Sequence, residues 1–172
     1  MYFSLFPVLP YDANGDGTVS LVTNLMKRIR VRANVQKELS LLQRYPIQDG
    51  ESPEMVADKH FGHTHYHWII LLLNNITDPY HDWPKSQREM QLYLNNKYGT
   101  RLNDVHHYEI SQTSGDTTIQ IEVDNTSYPS ATPITNYTYE HELNESKREI
   151  DLLDTSYTSF FVEEFTQLIA KN

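Results

Sequence analysis

An α+β fold is predicted by three stretches of this 172-residue chain. Residues 45–76 read as a strand, a capped helix, a glycine stop and a second helix. Residues 105–124 read as two strands around Thr113-Ser114-Gly115-Asp116, a hairpin signal. Residues 157–169 carry apolar side chains at helical spacing. Three segments follow from these signals: an N-terminal arm and helix over 1–38, a helical module with a following helix over 39–99, and a C-terminal strand hairpin with helices over 100–172.

The chain opens on ten mainly apolar residues broken by Pro7 and Pro10. Proline lacks the N–H a central strand needs, so an edge strand or extended arm is expected, docked on its own sheet or on a partner. Asp12-Ala13-Asn14-Gly15-Asp16-Gly17 is a loop by composition. From Ser20 to Arg30, Leu21, Leu25, Met26 and Ile29 follow helical spacing. Leu39, Leu41 and Leu42 lead through Tyr45 to Ile47, which predicts a strand before the turn at Asp49-Gly50. Ser52 is placed to cap a helix, with Pro53 in the first turn and Glu54 near the positive helix end. Met55, Val56, His60 and Phe61 supply its inner face, and Gly62 is placed for a left-handed stop.

Thr64 is expected to cap the next helix, whose apolar positions are Trp68, Ile69, Leu72, Leu73 and Ile76. Asp78-Pro79 breaks it, and helical patterning resumes from Ser86 to Tyr98. In the second strand of the hairpin Ile119, Ile121 and Val123 alternate with Gln120, Glu122 and Asp124. Asn125–Thr135 reads as a Ser/Thr/Pro-rich loop. Glu140–Arg148 reads as a helix in which Glu142 and Glu145 can pair with Lys147 and Arg148. Ile150–Leu153 reads as a short strand. Tyr157, Phe160, Phe161, Phe165, Leu168 and Ile169 then share one helical face. No internal repeat is evident.

Composition narrows the function. A formal net charge of -9 argues against a dedicated nucleic-acid binder. Without cysteine, neither a disulfide framework nor a cysteine–zinc site is available. The first ten residues lack the features of a signal peptide, and the longest dense apolar run, Trp68–Leu73, is far too short for a bilayer. A soluble protein made inside the cell is therefore expected. The Asn-x-Ser/Thr sequons at Asn75, Asn125, Asn136 and Asn144 then have no acceptor role.

Several local patterns invite chemistry and fall short of it. His60, His63, His65 and His67 gather near the helix junction, but a metal site needs three or four converging ligands with supporting partners. Asp12, Asn14, Asp16 and Gly17 imitate the start of a calcium loop, yet Thr23 stands where a bidentate glutamate is required. Lys27, Arg28, Arg30 and Arg32 form a basic strip suited to a phosphate or to an acidic neighbour. No nucleophile elbow or phosphate loop occurs, so no catalytic residue, metal or cofactor is expected. The ring content, with 12 tyrosines, 6 phenylalanines and 2 tryptophans, points instead to contact surfaces. The candidate interface residues are Tyr2, Phe3, Phe6, Tyr80, Trp83, Tyr128, Tyr137 and Tyr139.

Two resemblances gather these features. Asp49-Gly50-Glu51-Ser52, the helix ending in Phe61-Gly62 and the helix ending in Leu73-Asn74-Asn75-Ile76 resemble a LysM module, with Asp49, Gly50, Ser52, Gly62, Asn74 and Asn75 as its signature. The likeness implies a small βααβ-type unit flanked by the N-terminal arm and the C-terminal extension. After Ile76, Asp78-Pro79-Tyr80-His81-Asp82-Trp83 leads into a helix where a LysM module would return as a closing strand.

The chain as a whole resembles the baseplate wedge protein 53 family of contractile-tailed bacteriophages. The residues are Met1-Tyr2-Phe3-Ser4 with Phe6-Pro7, the 49–54 turn, Tyr66-His67-Trp68, Asn74-Asn75, Asp78-Pro79-Tyr80, Trp83-Pro84, the 137–150 run with Asn144-Glu145-Ser146-Lys147-Arg148-Glu149-Ile150, and Phe161–Phe165. The resemblance implies a virion structural protein of the tail baseplate, assembled in the host cytoplasm. Its implied partners are other wedge proteins, neighbouring wedges and the sheath-initiating ring, with no nucleic acid, membrane or small-molecule substrate. The alternative expectation is a LysM-type module that binds peptidoglycan.

Overall fold

A computed structural model describes residues 2–27, 29, 41–116 and 118–171. In chain order the strands and α-helices are β1 (Val8–Tyr11), β2 (Ser20–Thr23), β3 (Leu42–Pro46), α1 (Pro53–Phe61), α2 (His67–Leu73), α3 (Pro79–Asp82) and α4 (Gln87–Tyr98). There follow β4 (Val105–Ser111), β5 (Gln120–Val123), β6 (Thr132–Thr135), α5 (Asn136–Glu145), β7 (Glu149–Leu153) and α6 (Thr158–Lys171). The mixture is α+β. The described residues fall into two compact units, one drawn from 1–47, 51–83 and 149–172, the other from 48–50 and 84–148.

The first unit holds a strand–helix–helix–strand arrangement whose two strands are far apart in sequence. β3 pairs antiparallel with β7, Leu42 opposite Leu153 and Pro46 opposite Glu149. The stretch after Ile76 does run into helix, as read from Asp78-Pro79, and the closing strand is supplied only after the whole second unit has intervened. Helix α1 forms for local reasons. Ser52 is extended (φ -87, ψ 161) and its hydroxyl accepts the Met55 N–H at 3.3 Å. Pro53 occupies the first turn, and Gly62 closes the helix at φ 76 with its N–H on the Asp58 carbonyl.

Helix α2 turns Trp68, Ile69, Ile70 and Leu73 inward. On one side Trp68, Ile69 and Leu73 meet Phe6, Leu153, Phe165 and Ile169. On the other Ile70 meets Ile47, Val56, Ala57, Trp83, Ile150 and Leu152. At the end of α2 the Asn74 amide acts as a clamp. Its Nδ2 donates to the Asp151 carbonyl (2.8 Å) and to the Ile70 carbonyl (2.9 Å), while its Oδ1 accepts the Asp151 N–H (2.9 Å). One side chain thereby completes the outer hydrogen bonds of β7 at that residue.

The second unit is a three-stranded sheet, order β5-β4-β6, with α4 and α5. Helix α4 begins with a full capping box. Ser86 Oγ accepts the Glu89 N–H at 3.3 Å and Glu89 Oε2 accepts the Ser86 N–H at 2.9 Å. Met90 and Leu94 are its buried residues. Helix α5 starts at Asn136 with Thr135 as its cap and buries Asn136, Glu140 and Asn144, a polar stripe. A second asparagine clamp appears here: Asn144 Oδ1 accepts the Lys85 N–H (2.8 Å) and its Nδ2 donates to the Lys85 carbonyl (3.1 Å).

Five readings of the sequence are corrected. Residues 20–23 are strand and not helix, because Val22 and Thr23 are β-branched and the segment pairs with β1 from Val8↔Thr23 to Tyr11↔Ser20. Thr64 makes no capping bond; it opens a 3-10 turn, Thr64–Tyr66, that runs into α2. Met55 faces solvent, and Ala57 takes the inner position beside Val56. Within the expected 125–135 loop, Thr132–Thr135 forms β6 against β4, and α5 begins four residues before Glu140. In α6, Phe165 and Ile169 are buried four residues apart, whereas Phe160 is 68% exposed. The part of the 20–30 reading that falls on Arg28 and Arg30, like Arg32 and Leu39, lies outside the described residues.

Candidate assembly surface

The eight rings expected at interfaces separate into two groups. Phe6 and Trp83 are buried inside the first unit at 8% and 7% exposure, which corrects their expected place on a contact surface. Trp83 is fixed by a 2.7 Å bond from Nε1–H to the Glu51 carbonyl. Phe6 sits edge-on to Phe165 and Tyr2. Tyr2 is half-buried, tilted against Trp68 with ring centres 5.4 Å apart. Tyr139 is half-buried and stacks flat on His106 at 4.0 Å.

Phe3, Tyr80, Tyr128 and Tyr137 are exposed, Tyr80 at 90%. Tyr80 sits on the one-turn helix α3, held by the Asp78 cap, whose carboxylate accepts the Tyr80 N–H at 3.0 Å. His81 also bonds Asp78 at 2.6 Å and, with the Tyr80 N–H, draws the Asp78 pKa below its ordinary value. The β1–β2 hairpin adds an apolar surface that helical spacing concealed. Val8, Tyr11, Leu21, Leu25 and Met26 are all exposed by more than half. The run of apolar residues without an adjacent polar face was the available signal.

The expected signature residues are mostly structural in what they touch. Ser52 and Gly62 bound α1, and Asn74 clamps β7. Asn75 takes a left-handed conformation (φ 54), as does Gly50. Asp49 belongs to the second unit, where Oδ1 accepts the Gln87 N–H at 2.8 Å and lies 3.9 Å from the Arg148 guanidinium.

Two buried carboxylates are tied up internally. Glu51 accepts the Tyr45 hydroxyl at 2.8 Å and the Lys59 ammonium. Burial, then the Glu51 bond, pushes the Tyr45 hydroxyl up, and the same carboxylate raises Lys59. Glu140 accepts Lys97 Nζ at 2.6 Å and the Tyr98 hydroxyl at 2.8 Å. Burial alone would raise the Glu140 pKa; the two donors outweigh it and hold it low. Each carboxylate is met by a lysine ammonium and a tyrosine hydroxyl.

The histidines are likewise engaged locally. His60 Nε2 lies 2.7 Å from the Leu153 carbonyl and His67 Nδ1 lies 3.0 Å from the Thr64 carbonyl. His63 and His65 stand 5.1 Å apart, and burial, then the neighbouring His63, lowers the His65 pKa. Among the described residues no group of three or more His, Asp or Glu side chains is arranged to hold a metal ion. The Asp12 carboxylate is occupied by the N–H groups of Asn14, Gly15 and Gly17, so the calcium-like spacing serves a turn. Lys27 donates to the Ile169 carbonyl at 2.8 Å. An open groove beside β4 and β5 is lined by His106, His107, Tyr108, Glu122, Val123 and Asp124. No described helix is long and apolar enough to cross a membrane.

Beside these locally bonded polar groups, the exposed surface includes the rings Phe3, Tyr80, Tyr128 and Tyr137 and the apolar residues Val8, Leu21, Leu25 and Met26. Over residues 1–128 the chain matches the family model for base plate wedge protein 53. The chain belongs to the base plate wedge protein 53 family. No curated protein matches it. Membership in this family makes the chain a structural component of the phage tail baseplate, located in the virion and in contact with other baseplate proteins. The matched residues include β1–β5 and α1–α4; β7 and α6, which complete the first unit, lie beyond them.

Proposed function

We propose that this wedge protein is a linker, joining wedge subunits to one another and to the sheath-initiating ring, without catalysing a reaction. The single observation that carries the reading is the family match over 1–128. The exposed rings Phe3, Tyr80, Tyr128 and Tyr137 support it, because large rigid side chains give contact area at small entropic cost. In this reading the β3–α1–α2–β7 arrangement is a LysM-like anchor, and the N-terminal hairpin and the second unit supply reach. Assembly would take place in the host cytoplasm, with polar contacts setting register and partner choice.

The order strand–helix–helix–strand also suits a sugar-binding LysM module, so glycan affinity is the competing outcome. The test has two arms: co-purification of the tagged chain with wedge and sheath-initiator proteins from assembling particles, and titration of the isolated chain with chitin and peptidoglycan oligomers. Recovery of wedge partners with no glycan binding supports the linker. Glycan binding with no recovered baseplate protein would overturn it.

A further inference from the structure

We infer that the β1–β2 hairpin is half of a four-stranded sheet, and that the other half is the same hairpin of a second copy of this chain, joined through β2. Two strands alone are marginal in water, and this pair is apolar on both sides. Among the described residues no third strand pairs with it.

The hydrogen-bond phase shows which edge is open. The Asn24 N–H donates to the Pro7 carbonyl at 2.9 Å, in register with Val8↔Thr23. Antiparallel pairs alternate, so Leu9↔Val22 and Tyr11↔Ser20 exchange bonds across the hairpin, whereas Val8↔Thr23 and Pro10↔Leu21 do not. The backbone groups of Leu21 and Thr23 therefore point out along the free edge of β2. On β1 the outward positions are Val8 and Pro10, and Pro10 has no N–H to give. The β2 edge therefore offers two outward N–H groups, Leu21 and Thr23, where the β1 edge offers one.

That asymmetry favours a second copy over an extended array. Pairing β2 with β2 about a two-fold axis at Val22 sets Leu21 of one copy opposite Thr23 of the other. The product carries Pro10 on both outer strands, which disfavours growth beyond two. Charge agrees with the arrangement. The net charge of -9 disfavours self-association in general, yet residues 17–26 hold no charged side chain, leaving no like-charge pair across the new ladder.

Val19, Leu21, Val22, Leu25 and Met26 are 58, 74, 36, 59 and 89% exposed. Together they offer on the order of 500 Å² per copy, short of the about 800 Å² per partner of a standard interface. The pair is accordingly weak, forming reversibly at micromolar concentration and above.

Sedimentation of the full chain from micromolar to about 1 mM tests this, joined to amide hydrogen exchange at both ends of the range. The expected result is a monomer–dimer equilibrium in which the Leu21 and Thr23 amides gain protection with concentration while those of Ser20 and Val22 do not change. Leu21→Pro removes an outward N–H and no bond within the hairpin, so it should raise the dissociation constant at least about tenfold and leave the circular dichroism unchanged. A chain that stays monomeric throughout would overturn the inference. So would a dimer whose Leu21 and Thr23 amides remain unprotected, or protection that arises only when a different wedge protein is added.

Discussion

The two units are held together by different chemistry. In the first, Trp68, Ile69, Ile70, Leu73, Leu152 and Ile169 are all 6% exposed or less and pack as two apolar groups on either side of α2. In the second, the fully hidden apolar residues on the helices are Met90 and Leu94, and the facing helix α5 buries Asn136, Glu140 and Asn144 instead. The first unit gains its stability from area removed from water, which is insensitive to pH and direction. The second depends on directional polar bonds, each of modest net value and each expensive to leave half-made. Such a unit tolerates little change in geometry.

The largest expected effect lies in the apolar unit. Ile69→Ala, at a fully buried position, should destabilise by about 2–5 kcal/mol in denaturant unfolding. A loss under about 1 kcal/mol would mean the two apolar groups do not act as a core. Next comes the polar unit: Asn144→Ala leaves the Lys85 N–H and carbonyl without their clamp and should cost about 1–3 kcal/mol. Asn74→Ala makes the same comparison in the first unit at β7. Equal losses would show that the clamps work independently of the core beside them.

Acid should separate the units. The Glu140 carboxyl lies below its ordinary 4.5 in the folded chain, so its contribution is complete above that value and is lost as pH falls through the folded value. Hydrogen exchange followed downward from neutral pH should show α4 and α5 losing protection, and Glu140→Gln should flatten that dependence. Uniform loss across both units would erase the contrast. The caps come next, since Ser52→Ala and Ser86→Ala should each cost about 1 kcal/mol, one per unit. Smallest is Tyr80→Ser, within about 0.5 kcal/mol in thermal unfolding because the ring is in solvent. Its effect should appear instead as reduced recovery of wedge partners.

Features determined within one turn of chain were legible in the sequence. Ser52, Pro53 and Gly62 define α1 by their own conformational preferences, and the alternation of Ile119, Ile121 and Val123 marks β5. Features determined by a distant partner were not. Leu21, Leu25, Met26 and Ile29 satisfy helical spacing, and only pairing with residues 8–11 makes 20–23 a strand. Thr132–Thr135 hides its β-branched content among Ser and Pro until β4 lies beside it. The same limit applies to the surface. Ring content announces aromatic contact area, but Phe6 and Trp83 are interior for reasons of tertiary packing, and the spacing of Leu21, Leu25 and Met26 fits a helix face as well as it fits the exposed hairpin and the turn after it.

The pairing of β3 with β7 has a temporal consequence. A ribosome completes every residue of the second unit before it releases the strand that the first unit needs. The inner unit is thus free to mature early, whereas Tyr45 waits for Ile150 across a loop closure of more than a hundred positions, a slow step. Until Leu153, Phe165 and Ile169 emerge, the nascent chain lacks the residues that complete the cover of Trp68 and Ile69, and it is during that interval that it is most exposed to aggregation.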